Sequence, residues 1–293
     1  MAPAEHPQVV FGTASFGTGS PQAKFYDEAT ASPILTTLQA RNITVLDTAR
    51  AYPVGSPGTS EKILGQLRVP SWATVSTKVL SWKPGSHQAD RVKESITASL
   101  EALQTDQVDI LYLHAPDRAT PFEETCRAID AEYRARKFAR FGLSNYTAEE
   151  VEEIVTICEK HGLVKPSVYQ GRYNAIIRSA EAQLFPVLRR HGIAFYAYSP
   201  AAAGLFTGKV SPESTLPGSR WDKNWARAGL TLDDLPFGLK HQYGDSVIIG
   251  ASSLAQLEAN LDAVEAGPLS EHLAGLVDQV GKLVGDEAAP YHL

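Results

Sequence analysis

Four polar residues in the first half of the chain could carry out proton chemistry together. Asp47, Lys78 and His114 each end an otherwise apolar segment, and Tyr52 follows Asp47 in the next loop. A phenol loses its proton at about pH 10 and is a poor acid at neutral pH, unless a nearby cation favours the phenolate. Lys78 could supply that cation. Asp47 would then hold the ammonium in place, and His114 could orient a substrate carbonyl or help to pass the proton.

This group of residues resembles a proton donor beside a site for an oxyanion. Reduction of a carbonyl needs that proton and also a hydride, which no side chain carries, so a nicotinamide cofactor is implied. Each residue alone is more often structural, since Lys78 and Asp47 could form a rim ion pair and His114 could be a core histidine. Their joint placement at strand ends favours a catalytic role.

Eight short β-branched or aromatic runs alternate with helical patterns along the chain. The runs are 9–12, 43–47, 73–78, 108–114, 139–144, 167–170, 194–198 and 246–250. Between several of them, apolar residues recur at helical spacing, as in 92–103, 151–158 and 254–264, and a last helix is expected around 273–284. Thr147 and Ser253 stand where helix N-caps are expected. Repeated strand and helix units predict parallel strands with right-handed crossovers.

The strand ends recur at intervals of about 30 residues, which fits one strand–helix unit each. A doubly wound open sheet would usually show a glycine-rich phosphate turn after its first strand, and the segment 11–17 does not match it. The sequence therefore predicts a single α/β domain over residues 1–293, a (β/α)8 TIM barrel. In such barrels the active site lies at the C-terminal ends of the strands, so Asp47, Lys78 and His114 share one pocket.

The regular spacing is lost between Tyr198 and Gly250. This segment holds several prolines and glycines and no convincing apolar stripe, so we expect a long functional loop, with the seventh helix shortened or missing.

The composition excludes several classes of partner. The chain carries 27 Lys and Arg against 33 Asp and Glu, with no basic cluster that would follow a nucleic acid backbone. No apolar run is long enough to cross a membrane, and the N-terminus shows no signal or transit peptide, so a cytoplasmic location is expected. Cys126 and Cys158 lack metal-ligand companions and are interpreted as buried hydrophobes, and no metal site is predicted.

Several motifs around these residues, taken together, resemble the aldo-keto reductase superfamily. They are Leu46-Asp47-Thr48-Ala49, Ser60-Glu61 with Leu64-Gly65, Ser76-Thr77-Lys78, Asp109-Ile110-Leu111-Tyr112-Leu113-His114, Gly142-Leu143-Ser144-Asn145-Tyr146, Tyr169-Gln170-Gly171-Arg172-Tyr173-Asn174 and Gly250-Ala251-Ser252-Ser253-Leu254. The resemblance covers nearly the whole chain and is closer to the aflatoxin-aldehyde reductase branch. The segment between Lys209 and Asp245 is shorter than that branch leads us to expect.

The resemblance implies NADPH-dependent reduction of an aldehyde or ketone, with Tyr52 as the general acid, Asp47 and Lys78 as its tuners and His114 orienting the carbonyl. It implies a cofactor site in which Ser144, Asn145 and Gln170 hold the carboxamide, Tyr198 stacks on the nicotinamide, Ser199, Gly204 and Lys209 wrap the pyrophosphate, and Ser252, Ser253, Gln256 and Asn260 receive the adenosine end. Simple helix capping is the alternative for the last four. Residues 250–261 contain no Lys or Arg for a 2′-phosphate, so Arg220 or Lys209 would substitute.

A substrate pocket is expected from five aromatic residues: Phe16, Trp82, Trp221, Trp225 and Tyr291. For the two tryptophans of the shortened segment, covering an exposed barrel wall is an equal alternative. Because the chain ends in Leu293, where relatives that take acidic aldehydes are expected to carry an arginine, we expect neutral, aromatic or bulky carbonyl substrates.

Two other functions stay open at the level of sequence. A cofactor-binding regulatory barrel would bind the dinucleotide without turnover, and a non-redox barrel enzyme would use the same Tyr and Lys without a cofactor. The expected partner is a small-molecule carbonyl substrate. A homodimer would resemble the branch and would cover exposed barrel wall.

Overall fold

Eight parallel strands close into a barrel in the computed structural model, which describes residues 7–202, 241–267, 270–285 and 288–292. The strands pair in chain order, and the last pairs with the first. They are β1 Gln8–Gly12, β2 Val45–Asp47, β3 Thr74–Val79, β4 Val108–Leu113, β5 Phe138–Ser144, β6 Pro166–Arg172, β7 Ala194–Tyr198 and β8 Ser246–Ile249. This confirms the predicted (β/α)8 barrel.

Helices connect most of the strands and cover the outside of the barrel. They are α1 Glu28–Ala40, α2 Thr59–Gln66, α3 Ala89–Leu103, α4 Phe122–Arg134, α5 Ala148–His161, the short α6 Ala180–Gln183 and α7 Phe185–Arg190, then α8 Leu254–Glu265 and α9 Glu271–Val284. Short 3₁₀ helices span Val69–Ser71 and His241–Tyr243. No helix within the described ranges combines the length and apolar character needed to cross a bilayer.

Two predicted N-caps are confirmed. The Thr147 side chain accepts a hydrogen bond from the backbone N–H of Glu150, whose carboxylate accepts one from the N–H of Thr147, so α5 begins with a capping box. Ser253 accepts from the N–H of Gln256 at the start of α8.

The core has two parts, separated by the barrel wall. The larger part lies between the strands and the helices and includes the predicted apolar faces of α3, α5 and α8. Cys126 and Cys158 are buried there, as the sequence predicts. A smaller cluster of strand residues fills the barrel interior: Val10, Ile110, Tyr112, Val168, Ala194, Tyr196 and Ile248.

Strand register places the polar strand ends at one edge of the barrel. Lys78 is paired with Tyr112, which lies two residues before His114, and Asp47 is paired with Ser76. The neighbouring Gly142 on β5 leaves room for the Tyr112 ring, because a Cβ there would lie 2.3 Å from Tyr112 Cδ1. The packed interior therefore supports the site from below.

Five residues with expected roles lie outside the described residues. They are Gly204, Lys209, Arg220, Trp221 and Trp225. The expectation of a shortened or missing seventh helix falls on the same segment and stays a prediction.

Candidate active site

A buried ion pair joins the ends of β2 and β3. Lys78 Nζ donates to Asp47 Oδ2 at 2.5 Å and to the backbone carbonyl of Thr48 at 2.8 Å. Lys78 is 0% exposed and Asp47 is 3% exposed. Because both groups have lost their hydration, each depends on the other and on nearby hydrogen bonds to stay charged.

Tyr52 and His114 complete the cluster predicted from the sequence. Lys78 Nζ lies 5.0 Å from the centre of the Tyr52 ring. The His114 ring lies edge-on to that of Tyr52, with centroids 5.6 Å apart. The structure thus brings all four predicted residues together at the C-terminal edge of the barrel.

The electrostatics keep Lys78 positively charged and His114 neutral at neutral pH. Burial by itself lowers the pKa of Lys78, but the charges of Asp47 and Tyr52 and the hydrogen bond to Asp47 outweigh it, and the pKa is raised. Burial and, second, the charge of Lys78 hold the pKa of His114 well below its ordinary value. Lys78 is therefore an ammonium and His114 a neutral imidazole that can donate a hydrogen bond.

Gln170 reaches the ion pair from the opposite side of the barrel. Its Nε2 donates to Asp47 Oδ1 at 2.8 Å. The next residue, Gly171, faces outward, because a Cβ there would meet the Tyr169 and Phe195 rings of the outer core. Alternation along β6 therefore directs Gln170 inward.

Asn145 and Tyr198 are bonded to each other near the ends of β5 and β7. The Tyr198 hydroxyl donates to Asn145 Oδ1 at 2.8 Å, while Asn145 Nδ2 donates to the His114 carbonyl and to Ser144 Oγ. Burial raises the pKa of the Tyr198 phenol, and Tyr52 and Lys78 are among the charges acting on it, which places it beside the cluster. Ser144, Asn145 and Tyr198 therefore lie together on the rim where the family resemblance implies a site for the nicotinamide.

Arg172 is a rim residue with no role predicted from the sequence. Its guanidinium carbon lies 6.0 Å from the centre of the Tyr198 ring, and its charge opposes the rise in the Tyr198 pKa. It stands two residues after Gln170 on β6 and is paired with Tyr198 in register. A cation at the C-terminal end of this strand, two residues after Gln170 and on the same face, is the sequence signal that could have indicated Arg172.

The loop between β8 and α8 is held by its own side chains. Gln256 Oε1 accepts from the N–H and the hydroxyl of Ser252, and Asn260 Nδ2 donates to the Gly250 carbonyl at 3.0 Å. With Ser253 at the N-cap, these contacts provide the helix-capping role that the sequence left as the alternative. Asn260 Oδ1 is buried and has no hydrogen-bond partner among the described residues, so this loop retains an acceptor for a further donor.

Of the described aromatic residues expected to line the pocket, only Trp82 lies beside the cluster. Its ring is 5.3 Å from that of His114, and the residue is 54% exposed. The side chain can therefore contact a molecule at the mouth of the site.

The structure places Phe16 and Tyr291 in the outer core instead. Phe16 is 0% exposed, because its ring packs against Phe11 and Phe25. Tyr291 is 2% exposed, and its hydroxyl accepts from the N–H of Ala148 in the first turn of α5. Neither is available to line the pocket that Trp82 borders.

Three non-glycine residues with left-handed backbones follow the strands of this rim. They are Trp82, Asn145 and Ser199, with φ of 78°, 66° and 56°. Ser199 is held by its carbonyl, which accepts from Asn174 Nδ2 at 3.1 Å. Such conformations are strained for residues with a Cβ and gather at functional sites.

Comparison with known protein families identifies the family of the chain that carries this cluster. Residues 8–282 match the sequence profile of the Aldo/keto reductase family. This chain is a member of that family.

Relatives of this aldo-keto reductase match it over most of its length. The oxidoreductase sirO of Leptosphaeria maculans is 35% identical, with all of both chains covered. Aflatoxin B1 aldehyde reductase member 2 of Homo sapiens is 37% identical, covering 86% of this chain and 81% of the relative. The solved structure of glycerol dehydrogenase AKR11B4 from Gluconobacter oxydans superposes with a TM-score of 0.73 over 100% of this chain and 96% of the other, at 20% identity, which supports the fold.

Membership makes this aldo-keto reductase an oxidoreductase that acts on carbonyl groups, and the family uses nicotinamide cofactors. The rim suits such a cofactor chemically, since amide and hydroxyl groups match the donors and acceptors of a carboxamide. Among the described residues, no group of three His, Cys, Asp or Glu side chains is arranged to bind a metal ion.

Proposed function

We propose that this protein reduces an aldehyde or ketone to the alcohol with NADPH, and that Tyr52 is the general acid. The observation that carries the proposal is the position of Lys78 Nζ, 5.0 Å from the centre of the Tyr52 ring and bonded to Asp47. An ammonium at that distance lowers the free energy of the phenolate, so the phenol can release its proton to an oxygen that is gaining negative charge.

His114 would orient the substrate in this scheme. Because the imidazole is neutral, it can donate an N–H to the carbonyl oxygen without competing for the proton that Tyr52 delivers. Trp82, beside His114, would contact the rest of the substrate and limit the access of water.

NADPH, when bound, supplies the hydride. Ser144, Asn145 and Gln170 would hold its carboxamide, Tyr198 would lie against the nicotinamide, and the loop from Ser252 to Asn260 would receive the adenosine end. The preference for NADPH over NADH is supported by the family resemblance.

The test compares wild-type protein with Tyr52→Phe in reduction of 4-nitrobenzaldehyde, followed by the absorbance of reduced nicotinamide. Loss of the proton donor should lower kcat by about 10²-fold or more, while NADPH affinity, measured by quenching of tryptophan fluorescence, should change little. Tyr26→Phe, at an exposed tyrosine, is the matched control and should keep wild-type rates.

Three outcomes contradict the proposal. Wild-type rates in Tyr52→Phe would show that Tyr52 is not the general acid. Tight NADPH binding without turnover over a panel of carbonyls would favour a regulatory barrel. Conversion of a carbonyl compound without any dinucleotide would favour a non-redox enzyme.

A further inference from the structure

Both oxygens of the Asp47 carboxylate are occupied, each from a different side of the barrel. Oδ2 accepts from Lys78 on the neighbouring strand at 2.5 Å, and Oδ1 accepts from Gln170 Nε2 at 2.8 Å. In the closed order β1 to β8, β6 lies opposite β2. The Gln170 side chain therefore crosses the top of the barrel interior to reach Asp47.

This crossing contact is well fixed by its surroundings. Gln170 is 2% exposed, and the outward position of Gly171, the next residue of the strand, agrees with an inward Gln170 side chain. The Tyr112 ring lies beside the same ion pair, with its centre 5.7 Å from Lys78 Nζ. The amide that bonds to Asp47 is therefore buried, with little access to solvent.

A buried carboxylate needs such donors to stay ionised. An ion pair without hydration is stable only when its remaining acceptors are satisfied; otherwise a neutral pair, with the proton moved from lysine to aspartate, gains ground. Gln170 supplies the donor for the oxygen that Lys78 does not use. Its loss would reduce the positive charge beside the Tyr52 ring.

We propose that Gln170 is a positioning residue for the proton donor: by holding Asp47 it keeps Lys78 charged beside Tyr52, in addition to any contact with the cofactor. This inference rests on the proposed function only in taking Tyr52 as the general acid. The contact joins two side chains of this chain and involves no atom of the cofactor. It therefore predicts a property of the cofactor-free protein.

The experiment measures ionisation of Tyr52 without cofactor. Each protein is titrated by the ultraviolet absorbance of tyrosinate, and the same protein carrying Tyr52→Phe is subtracted to isolate the one phenol. Gln170→Met preserves size and removes the donor, and it should raise the apparent pKa of Tyr52 by about one unit. The alkaline limb of the kcat profile with saturating NADPH should move in the same direction.

Ser144→Ala is the matched control, because Ser144 is also expected at the carboxamide and bonds to Asn145. It should weaken NADPH binding without moving the Tyr52 titration. If Gln170→Met weakens NADPH binding and leaves the titration unmoved, Gln170 serves the cofactor alone and the proposal is wrong.

A double-mutant cycle tests whether the effect passes through Asp47. Gln170→Met should have little effect on the titration in an Asp47→Asn background, and an equal shift there would overturn the proposal. Thermal unfolding confirms that each variant is folded, and Gln170→Leu, which also removes the donor and adds no charge, should give a similar upward shift if the Met variant does not fold. Since none of these titrations needs turnover, inactivity toward carbonyls would contradict the proposed function and leave this inference standing.

Discussion

Lys78 Nζ bonds to Asp47 Oδ2 at 2.5 Å in a site from which water is excluded. Replacing Lys78 by Met removes the cation beside Tyr52 and leaves a buried carboxylate without its ion-pair partner. We expect kcat to fall by about 10²-fold or more and its alkaline limb to move to higher pH. Steady-state kinetics across pH test this, with Lys62→Met, at an exposed lysine of α2, as the control. An unchanged pH profile would contradict the assigned role of Lys78.

The buried histidine His87 should make the fold less stable in mild acid. Burial lowers its pKa from 6.5 to about 4, with Asp117 opposing the shift, and its ring is bonded to Ser81 Oγ. Because the unfolded chain binds the proton more readily, the stabilisation is complete above about pH 6.5 and is lost as pH falls toward 4.

Between pH 7 and 4.5, urea unfolding should therefore show that wild-type protein loses about 2 to 3 kcal/mol more than His87→Gln. His272→Gln, at an exposed histidine, should behave as wild type. Equal losses in wild-type protein and His87→Gln would show that His87 does not titrate in this range.

Tyr291 should contribute to stability and not to substrate binding. Its buried hydroxyl accepts from the Ala148 N–H, one of the free donors in the first turn of α5. Tyr291→Phe should lower the free energy of unfolding by about 1 kcal/mol and leave KM for the aldehyde unchanged. A several-fold rise in KM would indicate that Tyr291 contributes to substrate binding after all.

The fluorescence of Trp82 should respond to substrate bound at the mouth of the site. Because it is exposed and lies 5.3 Å from His114, Trp82→Phe should remove a large part of the fluorescence quenching caused by a bound aromatic aldehyde and should raise KM more than it lowers kcat. Quenching and KM equal to those of wild-type protein would place the substrate elsewhere.

Gly142 should be essential for packing beneath the site. An added Cβ would lie 2.3 Å from the buried Tyr112 ring, so Gly142→Ala should cost about 2 to 3 kcal/mol of stability through overpacking. Gly275 in α9 has no atom within 4 Å of an added Cβ, and Gly275→Ala should be neutral or slightly stabilising. Thermal unfolding of the two variants compares them directly. Similar melting temperatures would mean that the Tyr112 ring can move aside.

The position of the candidate cluster was predictable because each of its residues lies at the end of an apolar strand or in the loop after one. Asp47, Lys78 and His114 end apolar strands on consecutive units, and parallel strands place such ends at one edge. The N-caps of α5 and α8 were equally local, since Thr147 and Ser253 directly precede their helices.

Contacts between distant strands could not be predicted in this way. The hydrogen bond between Gln170 and Asp47 forms because the barrel closes and places β6 opposite β2. The repeating strand and helix pattern of the sequence does not show which side chains meet across the barrel. The expected pocket residues Phe16 and Tyr291 were misplaced for a similar reason. An aromatic side chain suits a pocket and an outer core equally, and the choice depends on the ring or backbone group that it meets in three dimensions.

The order of the strands divides the chemistry of this protein along its chain. The residues proposed for proton transfer lie on or directly after β2 to β4, whereas those proposed to hold the dinucleotide lie on or after β5 to β8. Under the proposed assignments, substitutions in the second half would alter coenzyme preference during divergence without changing the proposed acid. Gln170 is the exception, because its hydrogen bond to Asp47 links the two halves. A substitution of Gln170 would therefore affect both the proposed proton donor and the proposed cofactor site.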